Sequence, residues 1–247
     1  METLENSTHI AEQYQKVLEK IAETAARVGR RANEVKLVVV TKGHPVEMVK
    51  QVIETGAKRL GENYAEEAVE KINQLRDYSG VEKVEWHMIG HVQSRKAETV
   101  VQYFDFIHSL DSLKLAERYE RFADQFNKQL PVLLEMNVSG EESKFGFPAW
   151  DKSGWDKLLK DIEEIISKPH LTVCGLMTMA PYFENAEKTR PIFRRLVELR
   201  SYLKQVFPEI AWNELSMGMS SDFEVAIEEG ATIVRIGQAI LGPRKTT

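Results

Sequence analysis

The chain has 247 residues, 43% hydrophobic and 29% charged, with 33 Lys and Arg against 38 Asp and Glu and a net charge of −5. That length suits one α/β barrel or two small domains, and one domain is the simpler expectation. An isoelectric point near 5.8, with the cations dispersed among acids, excludes a global attraction for nucleic acid or anionic lipid.

The opening METLENSTHIAEQY lacks the basic-then-apolar order of a signal peptide, and no apolar run is long enough to span a membrane, so a cytoplasmic protein is expected. The single Cys174 lies in LTVCGLM, where a small buried hydrophobe is the natural reading.

Ile10, Tyr14, Val17, Leu18, Ile21 and Ala25 recur at helical spacing and predict an amphipathic helix ending near Gly29. From there strand-like and helical patterns alternate: VKLVVVTK and PVEMVKQVIETG, AKRLGEN and YAEEAVEKINQL, VEWHMIGH and SRKAETVVQY, FDFIHSL and SLKLAERYERFADQF. LPVLLEMNVS and WDKLLKDIEEII follow, then LTVCGLMTM and a helix through PIFRRLVELRSYL, NELSMGM and SDFEVAIEEG, and finally ATIVRIGQAI. Eight such units, with strands apolar throughout, predict a closed parallel (β/α)8 barrel of the TIM type: residues 1–33 an added N-terminal helix, 34–247 the barrel, together one domain. An open doubly wound sheet fits less well, because KGHP after the first strand cannot cradle a pyrophosphate as GxGxxG would.

Barrel chemistry sits at the C-terminal strand ends, where Lys42, Asn63, His87, Asn137, Met177, Ser216 and Arg235 all fall. Lys42 closes LVVVTK; beside an apolar wall an ammonium is disfavoured, which lowers its pKa and frees the lone pair for attack on a carbonyl. In LSMGMSSDFEVAIEEG, Ser216, Met217 and Gly218 follow the seventh strand, and Ser221 with Glu224 has the form of a capping box. Gly237 and Gln238 follow the eighth strand, opposite this segment, and the two half-sites together suggest a phosphate site. Arg235, on an apolar strand, needs a buried acceptor: either a carboxylate in a structural ion pair or an aromatic nitrogen of a bound cofactor, which would then stay unprotonated. His87 and His91 in WHMIGH invite a metal reading, but no third ligand accompanies them. Arg95 and Lys96 could guide an anion towards the mouth.

The series TK after strand one, GENYAEE, WHMIGHVQSRK, GLMTM, LSMGMSSDFEVAIEEG and VRIGQAILG closely resembles the pyridoxal phosphate homeostasis protein family, itself similar to the barrel half of alanine racemase. The resemblance implies a pyridoxal 5′-phosphate Schiff base on Lys42, with phosphate contacts at Ser216, Gly237 and Gln238. It also implies Arg235 opposite the pyridine nitrogen, with Asn63 and Met177 on the pocket wall and Met217 and Gly218 in the same motif. It further implies a carrier that serves pyridoxal phosphate-dependent apoenzymes, without turnover of its own; a monomer is expected because no single helix is apolar on every side. Three segments depart from the family pattern: TKGHP for SKTKP, GHVQ for GPLQ and RIGQ for RIGT. The first puts Gly43 and His44 where a second lysine is usual; the last puts an amide where a hydroxyl is usual. The competing readings are a racemase or lyase of the same cofactor, with Tyr64 or His87 as acid/base, and a class I aldolase-like barrel with no cofactor.

Overall fold

The computed structural model describes residues 2–243, with side chains from Thr8 onward. Nine strands form: β1 Lys36–Val40, β2 Arg59–Glu62, β3 Glu85–Met88, β4 Phe106–Leu110, β5 Leu130–Asn137, β6 Phe147–Pro148, β7 Leu171–Met177, β8 Glu214–Ser216 and β9 Ile233–Ile236. All pair in parallel, and β4–β5 and β1–β9 close a barrel of eight strands. The two-residue β6 is an annex to the end of β5 that the sequence patterns did not reveal.

Continuous apolar strands are explained by burial on both faces. In β1, Leu37 and Val39 join the large core beneath the helices, while Val38 points inward to Leu133, Met177 and Ile233. Burying each such side chain contributes about 1.5–3 kcal/mol. The surrounding helices are α1 Glu2–Arg27, α2 Val46–Glu54, α3 Ala65–Leu75, α4 Ala97–Tyr103, α5 Leu113–Gln125, α6 Leu159–Ile166, α7 Arg190–Val206, α8 Phe223–Glu228 and α9 Gln238–Leu241.

One irregularity sets the phase of the barrel wall. Val132 pairs with Val173 but Leu133 pairs with Gly175, so Cys174 is an extra residue in β7. Gly175 has φ +155°, and a Cβ there would lie 1.9 Å from the Glu214 carbonyl oxygen, so only glycine fits. Val173 and Leu176, three apart, thus both pack outward, and Cys174, Met177 and Met179 pack with the inner cluster.

The opening helix α1 ends two residues before Gly29, whose φ of +71° suits the turn that stops it. It lies against α2, α8 and α9. Arg27 bonds Glu224 and Glu228 at 3.3 and 3.1 Å, and Arg30 donates to the carbonyls of Ile227 and Ala231 at 2.9 and 2.8 Å. These bonds correct one expectation: Glu224 faces α1 and forms no capping box with Ser221. The residue before α8 is Asp222, whose Oδ1 accepts from the Met219 N–H at 2.6 Å. Among the described residues, no helix is long and apolar enough to cross a membrane.

Candidate functional site

At the C-terminal mouth of the barrel a cavity of about 420 Å³ brings together Lys42, Asn63, Arg235, Gly237 and Gln238. Lys42 stands two residues beyond β1 in a tight turn closed by the His44 N–H on the Thr41 carbonyl at 3.2 Å. Gly43 has φ +72° while Lys42 is not among the residues of positive φ, the pattern of a type II turn with Lys42 at its second position. The turn presents the lysine side chain, half-buried, to the cavity.

The floor is Arg235, only 3% exposed. Its guanidinium donates to the Ser216 hydroxyl at 2.5 Å and to the Thr178 carbonyl at 2.9 Å. Burial draws it down to about 10, against which Glu135 and Asp222 hold the charge, so it remains a cation at neutral pH. Of the two alternatives, no carboxylate bonds this arginine directly; a hydroxyl and a carbonyl do.

A directed chain of hydrogen bonds runs behind the arginine. Because arginine can only donate, Ser216 accepts from it, and the same hydroxyl lies 2.8 Å from His108 Nδ1. His108 Nε2 lies 2.8 Å from His87 Nδ1, and His87 Nε2 faces the Glu85 carboxylate 3.5 Å away, too far for a full hydrogen bond. A carboxylate can only accept, so it favours a proton on His87 Nε2, and with that tautomer His108 Nε2 donates to His87 and Ser216 donates to His108. Burial lowers the pKa of both imidazoles, well below the ordinary value for His108, so both are neutral.

Opposite Lys42 the cavity wall is Ser220 and Ser221 with Gly237 and Gln238. The Ala239 N–H donates to Ser220 Oγ at 3.3 Å, tying the two half-sites together. At Gly237 a Cβ would sit 2.9 Å from the Val40 carbonyl oxygen, so the bare backbone is what fits there. Asn63 lines the same cavity and carries a buried Oδ1 with no hydrogen-bond partner. An amine, a cation and a hydroxyl-rich corner around one hole can hold a small anionic carbonyl compound.

Four of the residues expected at the pocket lie elsewhere. Ser216 is wholly buried as the acceptor of Arg235, and the serines that line the cavity are Ser220 and Ser221. Met177 packs in the inner barrel cluster, and Met179, two residues on, reaches the cavity. Met217 is buried beneath the helices. Gly218, at φ +93°, turns the chain and accepts the Arg235 N–H on its carbonyl at 3.0 Å. The histidine pair is also separated: His87 is buried inside the barrel, whereas His91, past the end of β3, stacks on Phe145 and bonds Asp111 at 2.7 Å. Asn137 holds the loop after β5, donating to the carbonyl of Glu141 at 2.9 Å. Among the described residues, no group of His, Cys, Asp or Glu could hold a metal ion. A second cavity of about 500 Å³ adjoins the first through Asn63 and Met179 and takes in Tyr64, Arg95 and Lys96.

The alanine racemase N-terminal domain family matches residues 17–245. A pyridoxal phosphate homeostasis protein of Aquifex aeolicus is 42% identical over 234 residues, covering 95% of this chain and 98% of that one. PipY of Synechococcus elongatus, solved with pyridoxal phosphate bound, aligns at TM-score 0.79 and 31% identity over 94% of this chain and 100% of its own. An alanine racemase from Bartonella henselae, at 16% identity and TM-score 0.66, shares the fold over 97% of this chain but only 61% of its own. Matched along nearly its whole length by such relatives, the chain belongs to the pyridoxal phosphate homeostasis protein family, built on the alanine racemase N-terminal domain.

Proposed function

We propose that this chain binds pyridoxal 5′-phosphate in the Lys42 cavity and acts in intracellular homeostasis of that coenzyme, holding it for apoenzymes that need it. The observation that carries the reading is the convergence of Lys42, Arg235 and the Ser220–Ser221 and Gly237–Gln238 segments on one cavity of about 420 Å³. The fit is chemical as well as spatial. Lys42 is the tethering amine, the serine hydroxyls and the Gly237 and Gln238 backbone suit a phosphate, and Asn63 adds a polar side chain to the wall. The coenzyme supplies an aldehyde that reacts reversibly with primary amines, so a lysine that captures it can also release it to another amine.

The same residues argue for holding over turnover. Arg235 keeps its proton, so a ring nitrogen facing it stays an acceptor and the ring is a poor electron sink. Tyr64 lines the neighbouring cavity and His87 is buried below the floor, leaving neither placed as an acid/base across from Lys42. Tyr182, on the rim of the Lys42 cavity, is 78% exposed and faces water. The Schiff base on Lys42 and the cytoplasmic location are parts of the proposal that rest on the sequence resemblance, and the monomeric state rests on the absence of a helix apolar on every side in the sequence pattern.

The experiment is a visible absorption spectrum of protein loaded with pyridoxal 5′-phosphate, with and without Lys42→Ala. The wild type should show the lysine-bound absorbance and the variant should lose it; an undiminished band in the variant would refute the assignment. Incubating the loaded protein with single amino-acid enantiomers in deuterated water should give no sustained α-hydrogen exchange, and exchange would establish the racemase reading instead.

A further inference from the structure

GENYAEEAVEK, a segment that contributes only Asn63 to the Lys42 cavity, builds a charged cluster directly behind the lysine turn. Lys71, on α3 and 6% exposed, has three N–H donors and spends them on the Thr41 carbonyl at 2.7 Å, Glu62 Oε1 at 2.8 Å and Glu67 Oε1 at 2.6 Å. Glu62 is fully buried and also accepts from the Thr41 hydroxyl at 2.7 Å. Glu67 accepts, besides Lys71, the Gly43 N–H at 2.6 Å.

The Thr41 carbonyl and the Gly43 N–H belong to the two peptide units that meet at the Lys42 Cα. Both are therefore held by the cluster: one by the Lys71 ammonium, the other by the Glu67 carboxylate that Lys71 itself grips. The bonds are charge-assisted; those of Lys71 to Thr41 and Glu62 are buried, where such bonds are strongest, while the Gly43–Glu67 bond lies at the exposed edge of the cluster. Neither Glu62, Glu67 nor Lys71 lines the cavity, so none can touch a ligand there.

We propose that Lys71 and Glu67, backed by Glu62, are positioning residues that fix the direction in which the Lys42 amine enters the cavity. The inference rests on the coenzyme reading above and adds a function to residues outside the pocket. A glycine at position 43 makes the clamp necessary, because glycine is the residue whose backbone is freest to leave the required conformation. With the clamp cut, the turn stays connected but samples other directions, and capture of an aldehyde slows while recognition of phosphate and ring is untouched.

The test compares two ligands on the intact protein: pyridoxal 5′-phosphate, which has the aldehyde, and pyridoxine 5′-phosphate, which has an alcohol in its place and cannot bond covalently. Glu67→Ala removes the Gly43 anchor at a partly exposed position, and Lys71→Met removes the Thr41 anchor together with the grip on Glu67. Each folded variant should bind the alcohol within about twofold of wild type while the rate of lysine-bound absorbance falls about fivefold or more, as expected for loss of a charge-assisted bond. Glu67→Gln, which keeps an acceptor for Gly43, should recover part of the rate. Should Lys71→Met fail to fold, Glu67→Ala and Glu67→Gln decide the matter. Unchanged capture rates in Glu67→Ala, or an equal loss for both ligands, would overturn the positioning role. A wild type that takes up neither ligand would remove the coenzyme reading itself, a separate failure.

Discussion

Arg235 donates to the Ser216 hydroxyl across 2.5 Å, and behind that bond close contacts continue through His108 to His87, whose Nε2 faces the Glu85 carboxylate, a group that can only accept. The arrangement predicts that both imidazoles carry their proton on Nε2 and have a bare Nδ1. Nitrogen-15 chemical shifts of the folded protein near neutral pH should show this tautomer at both residues; a protonated Nδ1 on His108 would contradict the chain.

The same two histidines carry a pH signature. Burial depresses their folded pKa from an ordinary 6.5, so their contribution to stability is complete above that value and is lost as pH falls towards the folded pKa. Between neutrality and about pH 5 the two histidines lower the unfolding midpoint, so a variant in which a residue that cannot ionise replaces His108 should lose less, or gain more, over that interval than the wild type in thermal unfolding.

Ser216→Ala would remove the acceptor of a buried cation and the donor to a buried imidazole at one stroke. The expected cost is about 1–3 kcal/mol of stability, measured by urea unfolding. Binding of pyridoxal 5′-phosphate should weaken with it, because the Arg235 guanidinium loses one of its two protein anchors.

Glu135 reports with the opposite sign. It is 2% exposed with Oε2 unpartnered, and burial pushes its carboxyl up to about 7, with the Asp111 charge helping and Arg235 and Lys144 opposing. A raised folded value means a contribution present in full below the unfolded value of 4.5 and lost as pH rises through about 7. Glu135→Gln should therefore gain stability relative to wild type between pH 5 and pH 8, by on the order of 2 kcal/mol. A pH-independent difference would remove this carboxyl from the account.

Gly237→Ala would push a methyl to 2.9 Å from the Val40 carbonyl, on the cavity wall itself. Affinity for inorganic phosphate and for pyridoxal 5′-phosphate should fall together, by about tenfold for a displacement costing 1.4 kcal/mol. Gly175→Ala, whose methyl would meet the Glu214 carbonyl at 1.9 Å, should instead fail to yield folded protein, as judged by circular dichroism.

Much of the fold was legible because each barrel strand is a short run of apolar, often β-branched residues bounded by turn residues, and helical periodicity fills the intervals. The cavity was legible where a residue lies at the end of its strand or within two residues beyond it: Lys42, Asn63, Arg235, Gly237 and Gln238. Ser216, Met177, Met217 and Gly218 were misplaced because β7 and β8 end below the mouth, and the wall is made by residues two to five further on, such as Met179, Ser220 and Ser221. The extra residue at Cys174 leaves no sequence mark except Gly175 beside it. The buried polar groups were signalled more weakly still. His108 in FIHSL, Glu135 in LLEMN and Glu62 in LGEN each interrupt an apolar strand, but partners on other strands cannot be read from one segment.

The contacts of the opening helix bear on how the molecule comes into being. Arg27 and Arg30 find their acceptors on residues 224 to 231, some two hundred positions downstream. The helix also touches α2, but its charged bonds and its packing on α8 and α9 form only when those distant residues have come round to it. Closing so long a loop is a cost of topology that slows folding and makes this seam a long-range one.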